Sequence, residues 1–520
     1  MWLLSDLQVF TVLILVFVFT LYFYLKYRYT YWLRCGVPQI PPTMLVGNLG
    51  PLLRMSKSSA HVIEDIYHHP KAKNSAIVGI YLFHRPALLI RDPELIKRVL
   101  IRDFNKFCNR YSNSDVLGDP LGSQNLFFLK NPAWKEIRFK LTPFFTSGKL
   151  KQMFPLVEEV GQNLNQYLLK MPACKEENSF ELELKEFCAL YTTDVIATVA
   201  FGVEANSFKS PNGDFRKNGR EIFHFNARRA INFSVVFFLP HLVPYLGIKV
   251  VPDEQTEFLR STMNYVLAER EKSGKTRNDL IDILIEFKNA TKLESAKKGD
   301  LVFEGDLLVA QAAIFFTAGF ESSSATMSFA LYELARNPQV QQKLRQEIQE
   351  ALNENEGKIT QQLVESMEYL QMIISETLRL YPPLPFLDRE CTVEQGQLYS
   401  LEPFHKYGLT KGMPVYIPVY ALHMDNKYFP QPLEFKPERF SAENRKTITP
   451  YTYMPFGLGP HACIGERFAY LQTKIGLIQF LLNHRVALSA KTLPRVKLDP
   501  KALILQSEGG IHLNVVRDPL

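Results

Sequence analysis

Residues 9–25 read Val-Phe-Thr-Val-Leu-Ile-Leu-Val-Phe-Val-Phe-Thr-Leu-Tyr-Phe-Tyr-Leu without a charge, at the short end of what crosses a bilayer. Beyond them, apolar positions recur mostly at helical spacing. The longest such pattern, 307–336, begins after Glu304-Gly305-Asp306 and stops at Asn337-Pro338, where proline cannot continue a helix. Strand-like segments are few. Residues 76–83 and 86–90 flank His84-Arg85 as a hairpin, and 413–420 carries Pro414 and Pro418, which predict a sheet edge. The pattern as a whole predicts a mainly α protein with a smaller β region. No internal repeat or low-complexity linker interrupts the chain after Gly47, so one continuous body is expected there.

The amino terminus is read as an anchor rather than a cleaved signal. Residues 1–8 contain no Lys or Arg, and no small-residue cleavage site comes after the apolar run. Positive charge comes afterwards, at Lys26, Arg28 and Arg34, among Tyr22, Tyr24, Tyr27, Tyr29, Tyr31 and Trp32. These aromatics are expected to form an interfacial belt, and the charges place the remainder of the chain in the cytosol. Val37-Pro38-Gln39-Ile40-Pro41-Pro42 then predicts a stiff spacer. The resulting division is 1–25 anchor, 26–47 basic, aromatic and proline-rich hinge, and 48–520 catalytic body.

Composition narrows the function classes. At 46% hydrophobic residues the chain of 520 can bury a large core. A formal charge of +7 without a long Lys/Arg block argues against nucleic acid as a partner and leaves room for anionic lipid or an acidic protein. Cys35, Cys108, Cys174, Cys188, Cys391 and Cys463 are scattered without Cys-x-x-Cys spacing, which disfavours a zinc site or a secreted disulfide framework.

Chemistry concentrates at Cys463. It lies in Phe456-Gly457-Leu458-Gly459-Pro460-His461-Ala462-Cys463-Ile464-Gly465, directly before the helical pattern 466–482. Glycines let such a loop turn tightly against a flat ligand, and N–H groups at a helix start stabilise a sulfur anion. Within 307–336, Ala318-Gly319-Phe320-Glu321-Ser322 interrupts an apolar stretch with small residues and an acid–hydroxyl pair. Read alone, Gly319 serves close helix packing and the serines bond back to carbonyls. Glu376-Thr377-Leu378-Arg379 sets acid and base at i and i+3, and Pro437-Glu438-Arg439-Phe440 adds a second arginine; a solvated surface pair is the plain alternative.

Taken together and in this order, these elements resemble the cytochrome P-450 family of haem-thiolate monooxygenases. The family's loop signature is Phe-x-x-Gly-x-Arg-x-Cys-x-Gly, and this chain departs from it only at His461, where arginine is usual. The family's helix motif, Ala/Gly-Gly-x-Asp/Glu-Thr, is matched with Ser322 in the threonine place. The finer likeness, from the anchor and from Phe-Phe-Thr-Ala-Gly-Phe-Glu at 315–321, is to the insect microsomal branch that oxidises plant toxins and insecticides.

The resemblance implies haem b with Cys463 as its axial thiolate. It implies Phe456 against the cofactor and the Trp134-x-x-x-Arg138 helix, Arg389 and His461 as donors to the haem propionates. His461, unlike arginine, titrates near neutral pH, so propionate binding is expected to depend on pH. Gly319 is expected to leave room for dioxygen, and Glu321 with Ser322 to form a proton relay. Serine lacks the methyl that restricts a threonine rotamer, which puts the coupling of oxygen use to product in question. Glu376, Arg379 and Arg439 are expected to lock the core behind the haem. Residues 233–251, interrupted by Pro240 and Pro244, fall where a lid dips into lipid; 384–387 and 111–128 would line the pocket.

No Gly-x-Gly-x-x-Gly element comes after a strand, so electrons are expected from outside. The resemblance supplies NADPH indirectly, through a cytochrome P-450 reductase docking near Lys135 and Arg467, with cytochrome b5 as a further partner. It also implies the endoplasmic reticulum membrane and lipophilic substrates. The alternatives are a narrow oxidase of an endogenous sterol, fatty acid or terpenoid, and a non-oxygenating haem-thiolate isomerase.

Overall fold

The uncharged run forms a helix, Trp2–Arg28, whose side chains from position 6 onward are mostly exposed. In the computed structural model, which describes residues 2–174, 178–277, 279–294 and 303–520, the helical stretch around it is long and apolar enough to cross a membrane. Among the described residues none buries its apolar window, although Leu25 near its end is buried, and lipid would cover that window at no cost.

The chain divides into two units, one made of residues 1–111 with 386–418, the other of 112–385 with 419–520. In the first, the predicted hairpin is present: Ile77–Leu82 pairs antiparallel with Arg85–Ile90. The predicted edge is not an edge. Strand Pro414–Ile417 lies inside the sheet, parallel to Arg85–Ile90 and antiparallel to Leu387–Glu390. Its prolines permit this because Pro414 is the first residue of the strand and Pro418 lies beyond the last, so neither removes a needed donor.

The hinge is stitched to this sheet. Trp32 is fully buried and its indole N–H donates to the Ile80 carbonyl at 3.0 Å, over Gly79, where a Cβ would come within 2.3 Å of the indole ring. Pro38 and Ile40 exchange backbone hydrogen bonds with Gly79, and Tyr81 Oη donates to Gln39 Oε1 at 2.8 Å. Trp32 and Tyr29 are therefore core residues, not members of the expected lipid belt. Tyr22, Tyr24 and Tyr27 remain exposed.

The second unit is the helical mass. Gly305–Arg336, the element predicted from 307, runs through it, buried along most of its length. It packs chiefly on Leu184–Ile196 and also on Glu368–Leu380 and Glu466–Leu481. A three-stranded sheet missed in the sequence orders Ser179–Glu183, His512–Arg517 and His484–Leu488. Prolines break 233–251 as expected: Ala227–Phe238 meets Pro240–Leu246 at 112°, leaving Tyr245 and Leu246 exposed.

Candidate active site

Two backbone features shape the cysteine loop. Gly457 and Gly459 adopt φ of +74° and +72°, a left-handed conformation that costs glycine little, and the Cys463 N–H donates to the Phe456 carbonyl at 2.8 Å. Cys463 is consequently presented on the outside of the loop, exposed, three residues before the helix Glu466–Leu481. The Phe456 ring packs on Tyr470 of that helix at 5.2 Å.

The helix Ala133–Leu141 brings its two predicted residues to this loop. Trp134 and His461 are both buried and their rings lie 3.9 Å apart. One helical turn after Trp134, the Arg138 guanidinium feels the Cys463 sulfur; burial lowers its pKa and the sulfur opposes that shift. No carboxylate pairs with Arg138 among the described salt bridges.

On the long helix the expected roles divide differently. Ala318 is exposed midway along an otherwise buried helix, and Ser322, one turn on, is half-exposed on the same side. The Ser322 hydroxyl donates to the Ala318 carbonyl at 2.7 Å. Gly319 faces elsewhere: a Cβ there would meet Ile196 Cδ1 at 2.6 Å. The glycine thus permits close approach of Leu184–Ile196, and the opening on the helix is lined by Ala318, a member of the motif to which the sequence attached no role. Glu321 also departs from expectation. Its buried carboxylate pairs with Lys185 Nζ at 2.9 Å, away from Ser322; adjacent helical residues point about 100° apart.

The three charged groups of the Glu-x-x-Arg and Pro-Glu-Arg-Phe elements meet, two of them fully buried and Arg439 partly exposed. Glu376 and Arg379 are fully buried and joined by two bonds of 2.8 Å; Arg439 Nε reaches Glu376 Oε1 at 3.2 Å. The Lys436 N–H also donates to Glu376 Oε1. From the same helix, the Arg379 carbonyl lies 3.2 Å from His423 Nδ1. His423 Nε2 accepts from the Met454 N–H at 3.0 Å, so this histidine links the charged cluster to the start of the cysteine loop. Burial, reinforced by Arg379, holds His423 down to about 3, hence neutral. No sequence signal distinguished it.

Arg389 belongs to the other unit. Its side chain is buried, one nitrogen donates to the Asp388 carbonyl at 2.7 Å, and Nε has no partner. Burial, with neighbouring Arg110, lowers its pKa to about 9. A buried cation held this way fits an anionic ligand better than an empty interior.

An exposed thiol in a glycine-shaped loop, a half-buried arginine beside it with no carboxylate partner among the described residues, and a helix opened at Ala318 suit a flat, anionic, iron-bearing macrocycle, the haem group. A family model for cytochrome P450 matches residues 38–515, and the chain belongs to that family of haem-thiolate monooxygenases. Its relatives are insect enzymes. It is 62% identical over 496 residues to a Drosophila melanogaster protein described as "probable cytochrome P450 6g2", covering 95% of each chain. It is 44% identical to "probable cytochrome P450 6v1" of the same fly, over 94% of this chain and 95% of the relative. Identity to cytochrome P450 6k1 of Blattella germanica is 42%, over 94% and 93%.

Proposed function

We propose that this chain inserts one atom of dioxygen into lipophilic foreign compounds such as plant toxins or insecticides, from the endoplasmic reticulum membrane, with electrons drawn from NADPH through a separate reductase. Cytochrome b5 is a further electron donor in this reading. The chain is divided accordingly, with 1–25 as anchor, 26–47 as hinge and 48–520 as the catalytic body.

Cys463 would hold the haem iron through its sulfur. The observation that carries this role is the exposed thiol set beside Arg138, in a loop whose backbone leaves the sulfur facing outward. When bound, the haem with a thiolate behind its iron supplies reductive cleavage of the O–O bond. Arg138 would bring charge to its propionates, with Arg389 a further donor by the family resemblance alone, and the rings of Trp134 and His461, 3.9 Å apart and tilted by 41°, would bring ring donors. Phe456 closes the loop through its carbonyl. Ser322 offers a hydroxyl whose proton is committed to Ala318, so its lone pairs remain to accept a hydrogen bond from the open side. Glu321 acts at one remove, reaching the site only when its ion pair with Lys185 opens. Glu376, Arg379 and Arg439 hold the helix and loop geometry.

Substrate class is inferred from a mostly buried aromatic cluster and an exposed apolar corner. Phe127, Phe128 and Phe237 cluster within about 6 Å of one another, and the exposed Tyr245–Leu246 corner suits entry from lipid. Purified enzyme with reductase, NADPH and a panel of lipophilic compounds tests the proposal. Oxygenated products from many compounds support it, and turnover of a single sterol, fatty acid or terpenoid replaces it with the narrow-oxidase reading. A reduced carbon monoxide adduct lacking the thiolate Soret position would remove Cys463 as ligand.

A further inference from the structure

The carbonyls of Ala318, Gly319 and Phe320 each receive a side-chain donor. Ser322 Oγ serves the first at 2.7 Å. The other two donors come from different helices: Gln472 Nε2 reaches Gly319 O at 3.0 Å, and Thr192 Oγ1 reaches Phe320 O at 3.0 Å. Gln472 is fully buried, and its amide orientation is fixed because Gly319 O can only accept. Its Nε2 also touches Ser323 Oγ, while its Oε1 is buried without a partner. That combination is costly unless the donor bond matters.

The approach is built in. One turn beyond Gln472, a Cβ on Gly476 would lie 2.4 Å from Met327 Cε, so glycine there lets Glu466–Leu481 close on the long helix. The Tyr191 hydroxyl donates to the Gln472 carbonyl at 2.9 Å, next to Thr192. A helical carbonyl that takes an outside donor tilts outward and weakens its own ladder bond. Here two adjacent carbonyls are held by outside donors, one from each of two packed helices.

We propose that Gln472, seconded by Thr192, is a positioning residue that sets the opening of the long helix and thereby orients Ser322. This rests on the reading of Ser322 as the hydroxyl that faces the open side. A threonine's rotamer is restrained by its own methyl; Ser322 has only its bond to Ala318 O, so its direction is governed by how rigidly that turn is held. Gln472 cannot titrate, so its part is geometric. The helix after the cysteine loop thus reaches through to the oxygen side and determines how much consumed oxygen ends in product.

The test uses full-length, haem-loaded enzyme with Gln472→Leu and, because Gln472 is buried, the milder Thr192→Val. Hydrogen exchange of the peptide spanning 318–327 is read first, whether or not the enzyme turns over. Removing one hydrogen bond should change its rates about fivefold. With reductase, NADPH and 7-ethoxycoumarin as probe, peroxide released per NADPH should rise severalfold in Gln472→Leu, and adding Ser322→Thr should reverse the rise. Unchanged exchange in both variants overturns the proposal, as does a rise that Ser322→Thr leaves in place. Ser322→Ala separates the two readings: wild-type coupling there removes the role of Ser322, and the positional claim is then decided by exchange alone.

Discussion

Glu376 is the residue whose loss has the clearest expected outcome. It accepts from both Arg379 and Arg439 with no exposure to water, so Glu376→Ala strands two guanidinium groups. Breaking a buried ion pair by removing one partner costs about 3 to 5 kcal/mol. The variant should be made without haem, and a normal haem-to-protein ratio would contradict this. Cys463→Ser should keep the loop, whose closing bond is backbone to backbone, while losing the thiolate Soret position; retention of that signature with turnover would assign the ligand elsewhere. Two histidines make the fold sensitive to acid. Burial lowers His423 to about 3 and His484 to about 4, from an ordinary value of 6.5. Between those limits the unfolded chain binds protons that the folded chain does not, so stability falls as pH drops below about 6.5, by about 1.4 kcal/mol per unit for each group. Denaturant titrations at pH 7.5 and 5.5 should show His484→Leu losing about 1.4 kcal/mol less than wild type over that interval; equal losses would mean that His484 is not the group responsible.

Elements are legible where their signal is local. The long helix has a proline stop and a helical apolar pattern on both sides of its small-residue motif, and it extends as read; the hairpin at 77–90 likewise needs only its own residues. What fails needs distant partners. Proline usually marks a sheet edge, but the interior position of strand Pro414–Ile417 depends on neighbours more than 300 residues earlier. The motif gives roles to Gly319 and Glu321, but which way each points is set by Ile196 and Lys185 on another helix, and sequence order says nothing of that. The hinge gives the sharpest case. Its aromatics look interfacial, yet Trp32 fills the space above Gly79. Trp32→Ala should therefore destabilise the unit by about 3 to 5 kcal/mol, the usual range for a core tryptophan, measured as the unfolding midpoint in detergent. Gly79→Val should act in the same direction. A loss below about 1 kcal/mol would return Trp32 to the membrane interface.

Across the whole molecule, the proposed electron supply from a separate reductase makes surface charge the property to test. Lys135 and Arg467, on helices Ala133–Leu141 and Glu466–Leu481, are exposed, Arg445 lies near Arg467 through Glu466, and Phe139 of the Ala133–Leu141 helix is 80% exposed. Exposed lysines and arginines would attract an acidic partner over a distance set by salt: the screening length falls from about 10 Å at 0.1 M to about 3 Å at 1 M. Complementary charge acts mainly on the rate of encounter, whereas an aromatic at the centre of an interface acts on how long the complex lasts. The two contributions are therefore separable. Stopped-flow reduction of the haem by reductase should slow steeply with ionic strength, and Lys135→Glu with Arg467→Glu should reproduce that slowing at low salt. Phe139→Ala should leave the salt dependence intact while weakening the complex at every salt concentration. A reduction rate flat from 0.05 to about 0.5 M salt would exclude electrostatic docking and leave the apolar contact as the means by which the partner is held.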